Sequence, residues 1–404
     1  MQRVALNGIS SNLSTLQDRV NALKDVLGAI TSKVASSSQS GIVMGTAQSS
    51  AASGTHTVIV QNLATISSYY TDPAPSGSAT FSTGTIILKV GNTSTDIPVD
   101  GSNNTLDALA SYINGRVLGV TADVINDLNG ARLALVSTAS GEPGDVSVTG
   151  NTTGLIFTES AAGVNASFSI DGVPLNSTTN TVSGALAAVT LNLVGAAPGL
   201  PVLLTVGADT ARATQAVNAF VASYNTVMGA INSQFTFDPV ANTAGPLAAN
   251  SSLRSLQGSL LSDVTFSRSG NNGYVNLASL GVNMANDGTF SVDSVKLNEV
   301  ISNHVTDFQN FFQSLGPSGF ANKFSTDLAS LTDATDGIIN ANLAENSSTQ
   351  ATLTAEITDF EDRLVGRRQQ LINQYSQVDA MLRQFPLIMA QITGQLASLP
   401  VGHS

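Results

Sequence analysis

Nine apolar residues near the start of the chain constrain its fold more than any other stretch. Leu6, Ile9, Leu13, Leu16, Val20, Leu23, Leu27, Ile30 and Val34 follow one another at gaps alternating 3, 4, 3, 4. This is a heptad a/d pattern, and it predicts an α-helix roughly 40 Å long at about 1.5 Å per residue, with one narrow apolar stripe. The opposite face carries Asn, Ser, Thr and Gln with a few charges, among them Asp18, Arg19, Lys24 and Asp25. A helix striped in this way cannot bury its seam alone and needs a partner. The far end of the chain offers one. Ile357, Leu364, Leu371, Val378, Phe385 and Ile392 recur every seven residues, and Leu353, Phe360, Met381 and Ile388 supply the second seam position, with Arg367, Gln374 and Gln395 interrupting. The simplest reading packs the two ends together as long helices. Leu371→Asp would then bury a charge in a coiled-coil core. The same residues also allow an ordinary bundle, in which each helix packs on its own neighbours.

What lies between is mostly β. After a serine-rich break at 35–40, Gly41–Thr46 and Thr57–Val60 read as strands. Asp72-Pro73-Ala74-Pro75-Ser76-Gly77-Ser78 has linker composition and marks an expected boundary. From Phe81 to about Gly150 the pattern is a helix on a small antiparallel sheet. Strand 86–90 turns through Gly91-Asn92 into 96–99, Thr105 caps a helix with its stripe at Leu106, Leu109, Ala110 and Ile113, and alternating strands follow across an Asn129-Gly130 turn. From about Leu155 to Val206 strands return, with a hairpin tip at Asp171-Gly172. The uncharged run Ala185–Val206 is broken by Asn192, Gly195, Pro198, Gly199 and Pro201, so it reads as two strands joined by a turn and not as a membrane helix. Helices resume at Asp209, with a hairpin around Leu280–Val292 whose turn is Asp287-Gly288, and the terminal helix is expected from about Asn346.

The expected fold is therefore α+β and multidomain: an elongated α-helical coiled-coil region formed by both chain ends, with two nested mainly-β domains inserted. The expected divisions are 1–40 for the N-terminal coiled-coil helix; 41–78 with 153–208 for a discontinuous β domain; 79–152 for an inserted α+β domain; and 209–404 for the C-terminal helical part, with its β hairpin near 277–293. The candidate assembly seam is Leu13, Leu16, Val20, Leu23, Leu27, Ile30, Val34, Ile357, Leu364, Leu371, Val378 and Phe385.

Composition narrows the function. Charged residues make up 11% of the chain, well under the roughly 25% of ordinary soluble proteins. The net charge is −12, with no Lys/Arg cluster, which argues against nucleic acid and against an anionic membrane surface. There is no cysteine, so disulfides, thiolate metal sites and cysteine nucleophiles are excluded together. The N-terminus is a heptad helix and lacks the charged stretch and apolar run of a signal peptide. His56, His304 and His403 are scattered and lack a second ligand at metal spacing. His56 reads as opening a strand and His304 as lying within a helix beside Asp307. Asp287-Gly288 with Asp293 has the wrong oxygen spacing for an EF-hand, and neither a Gly-x-Ser-x-Gly motif nor a phosphate-binding glycine loop is present. No enzyme, metal or cofactor is expected. The low-charge Ser/Thr/Asn surface suits repeated subunit contacts, because few charges must be desolvated when surfaces meet.

The nested order resembles a known family. Asp209-Thr210 leads to Phe220-Val221 and Tyr224-Asn225. Gly245-Pro246-Leu247 precedes a short helix. Leu280-Gly281-Val282 leads to Asp287-Gly288-Thr289-Phe290-Ser291-Val292-Asp293 and Lys296-Leu297. These runs, in this order and spacing, resemble the bacterial flagellar filament cap proteins (flagellar hook-associated protein 2). Residues 84–138, with Leu106-Asp107-Ala108-Leu109, Ile113-Asn114 and Val120-Thr121-Ala122, resemble the small module of flagellar hook and flagellin-like proteins. The resemblance implies a non-enzymatic subunit at the flagellum tip, outside the cell and exported without a cleavable signal peptide. It implies a closed ring of about five copies that promotes flagellin folding and polymerisation. Its implied partners are itself, flagellin, the hook-filament junction proteins and a flagellar export chaperone, with neither nucleic acid nor membrane. The family pattern has a further stretch ahead of the heptad helix, and its terminal segments insert into the flagellar core, so a chain starting at Met1 departs from it. At the other end, Pro386 is expected to bend or stop the terminal helix. An alternative of a different class is a surface adhesin that binds host or surface glycans through the inserted domain.

Overall fold

The computed structural model describes residues 1–239, 242–313 and 318–397. Three separate hydrophobic cores divide the chain, and they are nested in sequence.

The outermost is helical. α1 (Gln2–Lys24) buries Leu6, Ile9, Leu13, Leu16, Val20 and Leu23, the first six positions of the heptad stripe. The helix stops there, short of the expected Val34. Asp25 leaves the helical conformation, its carboxylate accepts from the backbone N–H of Leu27, and the Gln313 amide donates to the last carbonyls, Leu23 O at 2.9 Å and Asp25 O at 2.8 Å. Leu27 is exposed. Ile30 rejoins the same core from a turn, and Val34 points outward from a strand.

The β part begins with β1 (Lys33–Ser37), β2 (Val43–Ala47), β3 (Gly54–Asn62) and β4 (Ile66–Thr71). It continues through β5 (Gly84–Val90), β6 (Thr93–Val99), α2 (Leu106–Asn114), β7 (Val120–Asp127), β8 (Gly130–Ser140) and β9 (Val146–Asn151). The remaining strands are β10 (Phe157–Ala161), β11 (Ala166–Ile170), β12 (Val173–Ser177), β13 (Thr181–Leu186), β14 (Val189–Leu193) and β15 (Val202–Ala208).

Eight of these strands form one sheet in the order β12-β11-β3-β15-β1-β2-β14-β13. Its two edges, β12 and β13, are consecutive in sequence. Laid flat, eight strands at about 4.8 Å spacing would hold them roughly 34 Å apart. The chain from Ser177 to Thr181 spans at most about 15 Å. The sheet must therefore curl on itself like a barrel. The alternation follows: Val58, Val60, Phe168, Leu191, Val202 and Leu204 point into the second core, while their neighbours face outward. At the Asp171-Gly172 tip both residues have positive φ, +51° and +83°, as a type I′ turn requires. The run 185–206 does contain two strands, β14 and β15, but β1 and β2 lie between them in the sheet. No helix of the described residues is long and apolar enough to cross a membrane.

The innermost unit is larger than expected. One sheet, β10-β4-β8-β7, takes strands from both flanks, and a second, β6-β5-β9, packs with α2 around the third core. Residues 66–71 and 157–161 thus belong to the insert, and the expected borders at 78 and 153 move outward. The stretch 72–78 is not a free linker. Ala74 exchanges two backbone hydrogen bonds of 2.8 Å with Ala131, and Gly77 O accepts from Asp107 N. Residues 33–37, expected as the end of the heptad helix up to Val34 and a polar break from Ala35, pair with β15 in continuous register. Thr105 caps α2 through its side chain, as its sequence position predicts.

The chain returns to the helical region through α3 (Thr210–Phe235), capped by Asp209, and α4 (Ser251–Val264), capped by Asn250. Two short hairpins, β16 (Phe237–Asp238) with β17 (Thr243–Ala244) and β18 (Val282–Met284) with β19 (Phe290–Val292), connect the helices. α5 (Ser294–Asn303), capped by Asp293, α6 (Val305–Gln313), α7 (Phe320–Leu331) and α8 (Ile338–Ala397) complete it. An aromatic cluster of Phe220, Tyr224, Phe290, Phe311, Phe320 and Phe324 fills the space beside α1, with ring centroids 4.7–6.4 Å apart. α8 starts earlier than expected and runs unbroken through Pro386, giving up the one backbone bond that residue cannot donate.

Candidate assembly surface

The two heptad seams do not pair with each other. α1 lays Leu13, Leu16, Val20 and Leu23, each fully buried, against α3 and α7. Its polar flank is held by Ser325 of α7, which bonds Gln17 Nε2 and Asn21 Oδ1, each at 2.9 Å, and Lys24 Nζ at 3.1 Å. This is the bundle arrangement, and it leaves no free side on the α1 stripe. α8 meets α1 only at its beginning: Ile339 and Asn342 are buried, and Asn346 Nδ2 donates to Gln2 Oε1 at 2.9 Å.

From Ser347 to Ala397 every residue of α8 is exposed. At 1.5 Å per residue this part of the helix is roughly 75 Å long. Its seam residues Ile357, Leu364, Leu371, Val378 and Phe385 are 39–62% exposed. Leu353, Phe360, Met381, Ile388 and Ile392 lie open on the same helix. Two of the charged residues beside them are tied within the helix, Arg363 to Asp359 at 3.5 Å and Arg383 to Asp379 at 2.9 Å, and the Arg363 guanidinium lies 5.8 Å from the centre of the Phe360 ring. A solvated helix carrying this many large apolar side chains presents a binding surface.

Among the described residues the histidines make local contacts, each with its own carboxylate neighbours. His56 lies within β3 and its Nδ1 sits 2.8 Å from Asp171 Oδ2. That hydrogen bond, with the Thr57 N–H on the other oxygen, holds the Asp171 carboxyl below the usual range. His304 lies between α5 and α6, outside the helix expected for it. Its ring packs against Tyr274 at a 37° tilt with 4.7 Å between centroids, and Glu299 and Asp307 each lie 3.8 Å from a ring nitrogen. His403 lies outside the described residues. Among the described residues, no three His, Asp or Glu side chains are grouped to hold a metal ion.

One buried charge cluster was not visible in sequence. Asp263 of α4 is buried, and its Oδ1 accepts from Lys323 Nζ of α7 at 3.2 Å, while its Oδ2 has no partner. Lys323 also bonds Asp327, one turn on. Two carboxylates share one ammonium. Burial pushes the Asp263 carboxyl up to about 6, the neighbouring Asp327 carboxyl adds to this, and Lys323 opposes it. The Tyr224 hydroxyl nearby is buried without a partner, and burial raises its pKa, with the Asp263 charge adding. The partners are 60 residues apart, and only the i,i+4 pair Lys323–Asp327 could have been read from the sequence.

Comparison with known proteins places this architecture. Residues 163–386 match the family described as flagellar hook-associated protein 2 C-terminus, residues 1–67 its N-terminus, and residues 85–139 the flagellin hook IN motif. The B-type flagellar hook-associated protein 2 of Pseudomonas aeruginosa is 31% identical over 434 residues, covering 98% of this chain and 90% of that protein. The flagellar hook-associated protein 2 of Aeromonas caviae is 25% identical over 411 residues, covering 92% and 86%. The solved D1-D2-D3 domains of the flagellar cap protein FliD from Escherichia coli share the fold, with a TM-score of 0.64 over 85% of this chain and 99% of that one, at 23% identity. With both terminal family regions and the inserted motif in register with the three cores, the chain belongs to the flagellar hook-associated protein 2 family.

Proposed function

We propose that this chain is a non-enzymatic subunit of a flagellar filament cap, exported without a cleavable signal peptide and working outside the cell at the flagellum tip. There, copies form a ring of about five and promote the folding and polymerisation of flagellin. The observation that carries this reading is the exposed part of α8, an apolar helix face that needs another chain to cover it. Ile357, Leu364, Leu371, Val378 and Phe385 are the residues that meet the assembly. Leu13, Leu16, Val20 and Leu23 hold the subunit together. Hook-filament junction proteins and an export chaperone are the remaining partners of this reading, the latter suited to shield α8 before assembly. The work is done by binding energy and geometry, without covalent chemistry.

Gold-labelled electron microscopy of the full chain mixed with flagellar filaments tests it. Label confined to one end of each filament is the expected result, and label along the sides or absent from the ends overturns it. Deleting residues 66–161 separates the cap from a glycan-binding adhesin. The chain passages on either side of the insert touch, Thr65 N donating to Val164 O at 3.0 Å, so the deletion can be rejoined without strain. A cap subunit lacking the insert still labels filament ends, whereas an adhesin loses its surface attachment.

A further inference from the structure

Two of the residues on the open part of α8 carry sulfur. Met381 is 63% exposed and Met389 51%. Of the chain's other methionines, Met228 is fully buried in the helical core, while Met1, Met44 and Met284 are exposed elsewhere on the surface. The chain has neither cysteine nor tryptophan, so no thiol takes up an oxidant before these thioethers do.

Met381 stands where the seam is thinnest. The first seam position is apolar throughout, at Ile357, Leu364, Leu371, Val378, Phe385 and Ile392. The second runs Leu353, Phe360, Arg367, Gln374, Met381, Ile388 and Gln395, so from Arg367 onward only Met381 and Ile388 are apolar. Met381, Phe385 and Met389 follow one another at four-residue spacing, which sets the Phe385 side chain between two thioethers on one face. A thioether is soft and apolar and packs well in such a row. A sulfoxide is polar, and covering it with another chain's apolar side chains strips the water from its oxygen.

We infer that Met381 and Met389 are oxidation sites that switch off the docking face of α8: an oxidant of the peroxide class converts them to sulfoxides in the free subunit, and the oxidised helix no longer seats. The inference rests on the cap reading, because it takes α8 as the part that docks. In the step itself the sulfur lone pair attacks one peroxide oxygen. An S–O bond forms, the O–O bond breaks, and the departing hydroxide takes the remaining peroxide proton and leaves as water. Sulfur loses two electrons and the peroxide gains them. Once α8 is covered, the covering chain keeps oxidant from the sulfurs, so the sensitivity belongs to the subunit before it is placed. Methionine sulfoxide reductases reverse the step.

The test treats the full chain with hydrogen peroxide, removes the oxidant, maps sulfoxides by peptide mass spectrometry, and titrates the gold-labelled chain onto flagellar filaments. Met381 and Met389 should oxidise and Met228 should not. The concentration that labels half of the filament ends should rise at least about tenfold after treatment, and methionine sulfoxide reductases of both epimer specificities should restore it. A chain carrying Met381→Leu and Met389→Leu should give the same concentration before and after peroxide. One carrying Met44→Leu and Met284→Leu should be as sensitive as the unaltered chain. Oxidised and untreated chains should melt alike by circular dichroism, because Met381 and Met389 lie outside the core. The inference is overturned if residues 381 and 389 carry no sulfoxide, or if a chain oxidised there labels ends undiminished. It is also overturned if the chain with leucine at both positions loses label equally, or if the oxidised chain melts early, since the loss then comes from elsewhere. In each of these cases the untreated chain still labels filament ends and the cap reading stands. An untreated chain that labels no ends overturns the cap reading and this inference with it.

Discussion

Asp263→Asn should make the helical region more stable at neutral pH and leave it unchanged in acid. Asp263 is buried, one of its oxygens has no partner, and its one cation is shared with Asp327. Its carboxyl is raised from 3.8 to about 6. The folded chain therefore holds this proton more tightly than the unfolded chain does. Stability from this group is fully present below the unfolded value and declines as pH rises through the folded one, so the window runs from about pH 4 to 6. At about 1.36 kcal/mol per unit, ionised Asp263 removes at most about 3 kcal/mol at pH 8. Lys323 and Asp327 have side chains 43% and 35% exposed, so water screens part of this and about 1–2 kcal/mol is expected. Asparagine keeps an oxygen for Lys323 and turns a donor toward Asp327. Its gain should be about 1–2 kcal/mol at pH 8, or roughly 2–8 °C in Tm, and near zero at pH 4. Thermal melts at pH 8, 6 and 4 read the difference. A variant destabilised equally at all three would refute the reasoning, because the Lys323 attraction would then outweigh desolvation.

The other predictions follow from the same packing. Tyr224→Phe removes a buried hydroxyl without a partner and should be neutral or stabilising by up to about 1 kcal/mol in urea denaturation. Leu16→Ala should cost about 2–5 kcal/mol in the same assay, since Leu16 is fully buried between α1, α3 and α7. Leu371→Asp, contrary to the coiled-coil expectation, should leave the melt of the isolated chain within about 0.5 kcal/mol while abolishing filament-end labelling. Gly130→Ala places a Cβ 2.1 Å from Ala74 O at a φ of +125°, and should destabilise the insert by more than about 2 kcal/mol, read by hydrogen exchange at its strands.

Local chemistry was legible in the sequence wherever it decided the structure by itself. Thr105 caps a helix as its position announces, and Asp171-Gly172 turns as its residue types require. The heptad of α1 was legible as a buried stripe but not in its extent. Leu27, Ile30 and Val34 continue the spacing after Asp25 has ended the helix, and nothing in a period of 3.5 says that Ile30 will reach the same core from a turn. Nor does a seam name its partner: the pattern at 6–23 and the pattern at 357–392 look alike, yet one is enclosed by α3 and α7 and the other is open. β1 was hidden because Lys33-Val34-Ala35-Ser36-Ser37 has little strand character of its own. It is a strand because β15, far along the chain, pairs with every residue of it.

The nesting of the cores sets an order of assembly. The insert begins and ends within residues 66–161 and can close on local pairings. The curled sheet cannot close until β15 arrives at Val202, and α1 has no partner before α3 begins at Thr210. Loop-closure entropy favours the inner unit first, the sheet second and the helices last. The first helix of the chain is thus among the last to find its place, and the leading segment stays pliable until almost every later element has formed.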